Sequence, residues 1–161
     1  MIRIIIFILM LIISYLVGSI SSAHFICQKF YSIDIRKYGS GNPGATNVLR
    51  VLGTKPALVV FLADLLKGLI MVTIGRLVGG ENLALLAAIA VVVGHDWSIF
   101  LNFKGGKGIA TSFGVIIGVF PKVAPLLLII SIAVIYIWRY VSLGSITSAV
   151  FLPIMLLIYR Y

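Results

Sequence analysis

Long apolar runs separated by short polar segments occupy almost the whole chain. An apolar helix of about 20 residues can cross a bilayer. One of the apolar runs, 109–120, is shorter than this and could be tilted or partly re-entrant. Because 61% of the residues are hydrophobic and the mean hydropathy is +1.21, a soluble domain of 161 residues could not cover its apolar surface. We therefore predict an all-α polytopic membrane protein, a bundle of about six transmembrane helices forming one domain over 1–161. The runs cover residues 4–25, 56–77, 83–93, 109–120, 124–138 and 143–158.

The basic residues indicate a membrane setting rather than a nucleic-acid partner. The net charge of +9 comes from 13 Lys and Arg against 4 Asp and Glu. These basic residues lie in short loops, where they orient a membrane protein and meet anionic headgroups or phosphorylated ligands. If each run crosses once, the loops 27–55, 94–108 and 139–142 share one side of the membrane. Their excess of Lys and Arg predicts that this side is cytoplasmic and that the N-terminus lies outside.

The sequence does not indicate metal or disulfide chemistry. Cys27 is the single cysteine, which excludes an internal disulfide. Two histidines and four acidic residues at these spacings match no zinc site. We expect neither a metal nor a cofactor.

The polar segment 38–50, YGSGNPGATNVLR, combines glycines with hydroxyl, amide and guanidinium groups. Glycines let successive backbone N–H groups converge, and the side chains add donors and charge. This is the composition of an anion-binding nest, most often for phosphate. A flexible connector is the alternative, since Gly, Ser and Asn also form plain turns. The candidate binding residues are Gly39, Ser40, Gly41, Asn42, Gly44, Thr46, Asn47 and Arg50.

The segment 94–111, GHDWSIFLNFKGGKGIAT, repeats this composition with lysines. Lys104, Gly105, Gly106 and Lys107 join a bendable backbone to cations, but the spacing and strand context of a Walker A loop are absent. His95 ends an apolar run, where it could act as a general base or donate to an anion. The alternative for His95 is a polar anchor at the membrane interface.

Two further features place polar side chains next to or inside apolar runs. The segment 139–145, RYVSLGS, could complete a phosphate site through Ser142, although Arg and Tyr also line membrane interfaces. Asp64 and Lys67 lie three residues apart in the second run and so share one helix face. Charges within a membrane tend to be paired and to face the protein interior. We predict a structural ion pair, with the alternative that Lys67 lends charge to the site.

The two long polar segments together resemble the signature loops of the bacterial acyl-phosphate:glycerol-3-phosphate acyltransferases, the PlsY family. Three shorter motifs agree with the resemblance: GSI at 18–20, DLLKG at 64–68 and RYVSLGS at 139–145. The resemblance implies a multi-pass enzyme of the bacterial inner membrane that acts in phospholipid biosynthesis. It would transfer a fatty acyl group from acyl phosphate to the sn-1 hydroxyl of glycerol 3-phosphate, giving lysophosphatidic acid and phosphate. Its implied partners are these two substrates, the lipid bilayer and, functionally, the enzyme that makes acyl phosphate.

The resemblance also implies roles for individual residues. Ser40 and its neighbouring glycines would hold the donor phosphate, and His95 would orient or deprotonate the acceptor hydroxyl. The phosphates of donor and acceptor would be clamped by Arg50, Lys104, Lys107 and Ser142. We take His95, Ser40 and Arg50 as the candidate catalytic residues.

The chain departs from the family pattern at two serines and at its C-terminal end. Ser21 and Ser98 stand where the family usually has proline. The family usually continues into a seventh span with a basic motif, so we expect a C-terminally truncated chain or a shortened relative. Two alternative functions stay open: an anion or phosphate transporter that uses the same loops, and an inactive shortened relative.

Overall fold

In the computed structural model, which describes residues 2–159, the chain is helical and forms no strand over that range. Three helical segments, Ile2–Ser19, Thr54–Leu101 and Val141–Tyr159, have the length and hydropathy needed to cross a membrane, and two apolar helices are shorter. The predicted all-α membrane fold is confirmed. The helices are α1 (Ile2–Ser19), α2 (Ser22–Tyr31), α3 (Ala45–Leu52), α4 (Thr54–Asp96), α5 (Ile109–Val119), α6 (Ala124–Trp138) and α7 (Val141–Tyr159), with 3-10 turns at Ile35–Lys37 and Ile99–Leu101.

Helix α4 contains two of the predicted runs, joined at a sharp bend. Gly80 has φ 75° and ψ −165°, a conformation that suits glycine. The bend divides α4 into arm 1 (54–79) and arm 2 (81–96), which run antiparallel. A Cβ atom at Gly75 would lie 2.9 Å from the carbonyl oxygen of Leu83 and 3.1 Å from the side chain of Ala87. Only a glycine lets the two arms approach so closely.

Helix α1 packs parallel to arm 2. Phe7 lies near Gly79, beside the bend, Met10 packs in one cluster with Leu83 and Ala87 of arm 2, and the backbone of Tyr15 lies against Gly94 at the other end. A Cβ at Gly94 would overlap the Tyr15 carbonyl oxygen, so this is the close backbone approach that small residues allow between membrane helices. Because α1 and arm 2 run the same way, their C-terminal ends and the start of arm 1 lie at one face. The polar segments 20–53 and 97–108 therefore leave the helices on a common side.

The first helix is shorter than predicted. The apolar run 4–25 predicts one continuous helix, whereas α1 ends at Ser19 and α2 begins at Ser22. The Lys67 ammonium accounts for the break, since its Nζ donates to the carbonyl oxygens of Gly18 and Ile20 at 3.0 and 2.9 Å. The Ser21 hydroxyl then caps α2 by accepting from the backbone N–H of His24 at 3.3 Å.

The chain divides into two compact units, Met1–Gly118 and Val119–Tyr161. The second unit is a hairpin of α6 and α7, joined through Arg139 in a left-handed conformation with φ 61°. Within the hairpin, the Ser148 hydroxyl donates to the carbonyl oxygen of Leu127 at 3.1 Å. The expectation of a single domain over 1–161 stays a prediction.

Candidate functional site

The first polar loop is folded around a buried amide. Asn47, only 2% exposed, donates through Nδ2 to the carbonyl oxygens of Ile35 and Tyr38 at 3.2 and 3.0 Å. Its Oδ1 accepts from the backbone N–H of Ser40 at 2.8 Å. Asn47, predicted among the substrate-binding residues, supports the loop from inside. A segment held by three such bonds is not the flexible connector of the alternative hypothesis.

The backbone of this loop is bonded mostly to itself. The N–H of Ser40 is taken by Asn47, that of Gly41 donates to Tyr38 at 3.0 Å, and that of Gly44 donates to Asn42 at 2.9 Å. These three N–H groups therefore have partners within the loop, and the anion-binding nest stays a prediction. The side chains of Ser40 and Asn42 are further donors in this loop.

The second polar loop closes over the end of α4. The N–H groups of Gly105 and Gly106 donate to the backbone oxygens of Asp96 and His95, each at 3.0 Å. These bonds satisfy carbonyls that a helix leaves free at its C-terminus. A Cβ at Gly106 would overlap Nε2 of His95, so the loop packs directly on the imidazole. As in the first loop, the glycines shape the backbone, and the side chains of Lys104 and Lys107 are exposed.

The two loops meet in a cleft of about 620 Å³, which we call the cationic cleft. Four basic side chains and one carboxylate line it, so its charge is strongly positive. Lys104 and Lys107 are exposed there, as the sequence predicts for anion-binding residues. Its lining residues are Asp34, Arg36, Lys37, Ser40, Gly41, Asn42, Pro43, Lys104, Gly105 and Lys107.

Asp34, Arg36 and Lys37 also line the cationic cleft, although no sequence motif predicted them. Arg36 donates four hydrogen bonds to the Asp34 carboxylate, the shortest being Nε to Oδ1 at 2.9 Å and NH2 to Oδ2 at 2.8 Å. This hydrogen-bonded pairing holds the pKa of the Asp34 carboxyl well below its usual range. Since Arg36 and Asp34 offset each other, Lys37, Lys104 and Lys107 supply the excess positive charge. The sequence signal that could have identified them is the pair of basic residues, Arg36 and Lys37, just before the glycine loop.

The remaining predicted site residues lie elsewhere. Thr46 and Arg50 are on the exposed side of α3 and are not among the lining residues of the cationic cleft. Gly39 is part of the loop around Asn47, where its φ is 59°. Ser142 belongs to the second unit and is exposed near the start of α7.

His95 lies beneath the second loop in a buried polar cluster. The side chain is 6% exposed, and its Nδ1 is 3.7 Å from Oδ1 of Asp64. The same oxygen accepts from Lys67 Nζ at 2.9 Å and from the Ser22 hydroxyl at 2.8 Å. The predicted ion pair between Asp64 and Lys67 is confirmed.

A second, mainly apolar cleft of about 430 Å³ lies near the cationic cleft. His24 links the two, because it lines the apolar cleft and its Nδ1 is 3.3 Å from Oδ1 of Asp34. The lining residues of the apolar cleft are Ile20, Ser21, His24, Phe25, Gln28, Lys29, Phe100 and Leu101.

Together, the apolar helices and the cationic cleft define an integral membrane protein suited to an anionic ligand. A family model described as glycerol-3-phosphate acyltransferase matches residues 8–161, and the chain belongs to that family. It is thus a membrane acyltransferase of phospholipid biosynthesis.

Two bacterial glycerol-3-phosphate acyltransferases are similar in sequence to this chain over most of its length. The glycerol-3-phosphate acyltransferase of Thermoanaerobacter pseudethanolicus is 55% identical over 139 residues, which are 86% of this chain and 70% of the relative. That of Clostridioides difficile is 41% identical over 160 residues, covering 96% and 78%.

Solved structures agree with the fold as well. A crystal structure of PlsY (YgiH), an integral membrane glycerol 3-phosphate acyltransferase in its glycerol 3-phosphate form, matches with a TM-score of 0.89 and 39% identity. The match covers 96% of this chain and 78% of that one. Its lysophosphatidic acid form matches with a TM-score of 0.88. The resemblance inferred from the two loops is confirmed.

Proposed function

We propose that the protein transfers a fatty acyl group from acyl phosphate to the sn-1 hydroxyl of glycerol 3-phosphate. The hydroxyl oxygen forms an ester bond to the acyl carbon, and the bond from that carbon to the phosphate oxygen breaks. The products are lysophosphatidic acid and inorganic phosphate. The observation that carries the proposal is the cationic cleft, because Lys37, Lys104 and Lys107 converge there from two separate loops.

The charge of the cleft suits a reaction between two phosphorylated substrates. Phosphate is already a good leaving group in acyl phosphate, so no side-chain nucleophile is required. Holding two anions close together and stabilising the charge that develops on the leaving phosphate would supply most of the catalysis. Lys104 and Lys107 are the main electrostatic groups in this proposal, with Ser40 and Asn42 as neutral donors beside them.

The apolar cleft gives the donor's acyl chain a place next to its phosphate. Phe25, Phe100 and Leu101 line it, and His24 joins it to Asp34 at the rim of the cationic cleft. A single donor molecule could then lie with its chain against apolar side chains and its phosphate among the lysines. The solved relative with lysophosphatidic acid supports a ligand that carries both parts.

Arg50, Ser142 and His95 have less direct support. Arg50 and Ser142 are exposed side chains outside the lining of the cationic cleft, and we retain them as candidate phosphate ligands from the family resemblance. His95 contacts the loop through Gly106. It would accept the proton of the acceptor hydroxyl once substrate lifts that loop, or else position the loop while a substrate phosphate takes the proton.

We further propose that the polar face is cytoplasmic, that the N-terminus is outside and that the membrane is the bacterial inner membrane. The common side of the segments 20–53 and 97–108 and their basic side chains support this orientation. An enzyme that makes acyl phosphate would be the functional partner. Labelling of single cysteines introduced at Lys107 and at Leu77, in a Cys27→Ser background, tests the orientation. Labelling of the Lys107 position, and not the Leu77 position, from outside intact cells would contradict it.

The donor is tested with purified protein in detergent. Palmitoyl phosphate and palmitoyl-CoA are offered separately with glycerol 3-phosphate, and lysophosphatidic acid is measured by mass spectrometry. We expect product from palmitoyl phosphate alone. Product from palmitoyl-CoA alone would refute the donor assignment, and product from neither donor would favour the inactive relative. Flux of phosphate into proteoliposomes would favour the transporter.

A further inference from the structure

Two buried charged side chains, Lys67 and Asp64, lie between the break after α1 and the imidazole of His95. The ammonium of Lys67 has three acceptors, the carbonyl oxygens of Gly18 and Ile20 and Oδ1 of Asp64, at 2.9–3.0 Å. Since an ammonium has three protons to donate, Lys67 is saturated and fixed in place. Asp64 is 1% exposed and is anchored by Lys67 and by the hydroxyl of Ser22. The carboxylate is therefore held rigidly beside arm 2.

The two ring nitrogens of His95 face different surroundings. Nδ1 is buried without a hydrogen-bond partner, and Oδ1 of Asp64 lies 3.7 Å away. Nε2 lies against Gly106 of the second loop. The charged groups around the ring are Asp64 and Lys67 on arm 1 and the neighbouring Asp96 on arm 2. Lys67 can only donate hydrogen bonds, whereas the Asp64 carboxylate can accept one from the ring.

We propose that Asp64 is a positioning residue that holds His95 in the tautomer with its proton on Nδ1. The unprotonated Nε2 is thereby presented to the loop that carries Lys104 and Lys107. A shift of the ring by about 1 Å shortens the contact with Asp64 to hydrogen-bond length, the kind of tightening that substrate binding produces at catalytic groups. A carboxylate that donates nothing leaves Nδ1 as the only possible donor.

This assignment of the tautomer stands on geometry, whereas its importance for the reaction rests on the proposed function. If His95 accepts the acceptor's proton, the tautomer decides whether Nε2 has a free lone pair. If His95 only positions the loop, the same bond fixes the angle of the ring under Gly106. Lys67 contributes indirectly by holding the carboxylate in place at 2.9 Å.

The tautomer is measured directly by nitrogen NMR of histidine-labelled protein. The chain has two histidines, so a His24→Gln variant leaves His95 as the sole signal. We expect the resonances of the Nδ1–H tautomer. In the Asp64→Asn variant the amide oxygen still accepts from Lys67 and Ser22 but is a weaker acceptor, so we expect a shift toward the Nε2–H tautomer. If the His24→Gln protein with Asp64 intact shows the resonances of the Nε2–H tautomer, the proposal is overturned and no Asp64 variant is needed.

Kinetics separate positioning from general stability. Asp64→Asn is expected to lower kcat about 10- to 100-fold, part of what a general base contributes, and to cause no further loss in a His95→Ala background. Ser22→Ala removes one bond to Asp64 but keeps its charge, so we expect an unchanged tautomer. Equal losses from Asp64→Asn with and without His95 would overturn the proposal. A parent with the expected tautomer but no acyl transfer would leave the positioning intact and refute the proposed function instead.

Discussion

Oδ1 of Asn47 accepts a 2.8 Å hydrogen bond from the backbone N–H of Ser40, seven residues earlier in the chain. This bond and two bonds from Nδ2 to backbone carbonyls hold the first loop against α3. The edge of the cationic cleft at Ser40 therefore depends on a residue that does not line the cleft. Removing the amide is expected to damage binding and stability together.

Asn47→Ala should destabilise the fold by about 3 kcal/mol, because it removes three hydrogen bonds of a buried amide, each worth about 1 kcal/mol. The KM for phosphorylated substrates should rise as Ser40 loses its position. Thermal unfolding in detergent and steady-state kinetics measure the two effects. Thr46→Ala, at the exposed neighbour, is the control for stability and should leave the unfolding temperature unchanged. An Asn47→Ala protein with parental stability would contradict this account.

Gly106→Ala should displace the imidazole of His95, since the added Cβ would overlap Nε2. We expect kcat to fall at least tenfold. The matched control is the double variant with His95→Ala, in which the missing ring makes room for the methyl group. The double variant should be no slower than His95→Ala alone, which itself should lose about 100-fold or more in kcat if the imidazole is the general base. A further tenfold loss would show that Gly106 acts without His95.

Lys104→Gln and Lys107→Gln should each weaken substrate binding about tenfold or more. A hydrogen bond to a charged group is worth about 1.5–3 kcal/mol, and the cleft has several cations to share an anion. The effect should appear in KM or in competition by inorganic phosphate and should shrink at high salt. Lys55→Gln, at an exposed lysine outside the lining of the cleft, should behave as the parent. Equal effects at all three positions would indicate a general surface potential.

Arg76 is expected to contribute to stability and not to activity. Its guanidinium bonds Glu81 across the Gly80 bend at 2.6 Å and the carbonyl oxygen of Gly118 at 2.7 Å. Arg76→Ala should cost about 1 kcal/mol, since the group is partly exposed and solvent screens the pair. Glu81→Ala should cost less, because the bond to Gly118 remains. A larger loss from Glu81→Ala, in unfolding measurements, would assign the stability to the ion pair.

The sequence was sufficient to predict the membrane class, the convergence of two polar loops and the Asp64–Lys67 pair. These rest on hydropathy, on the parity of the runs and on helical spacing, all of which are local properties. The end of α1 was not predictable in this way, because Lys67 from another helix binds the carbonyls at the break. The partners of the loop N–H groups were also hidden, since the bonds of Ser40 to Asn47 and of the second-loop glycines to Asp96 and His95 are known only from the fold.

The residues that line the cationic cleft also differ in whether the sequence alone could predict them. Lys104 and Lys107 could be chosen from their motif, whereas Arg36 and Lys37 lie before the glycine loop and join the cleft through the turn Ile35–Lys37. Ser21 and Ser98, the two serines at usual proline positions, turned out to cap α2 and to bond the Ser19 carbonyl at 2.5 Å. Composition alone does not assign such partners.

We propose that acyl phosphate is the donor and that its phosphate leaves as the ester forms. Phosphorus NMR of one reaction with palmitoyl phosphate and glycerol 3-phosphate follows every phosphorus atom in it. We expect inorganic phosphate and lysophosphatidic acid to appear together in a one-to-one ratio while both substrates are consumed. Phosphate release without lysophosphatidic acid, or lysophosphatidic acid without an equal amount of phosphate, would contradict it.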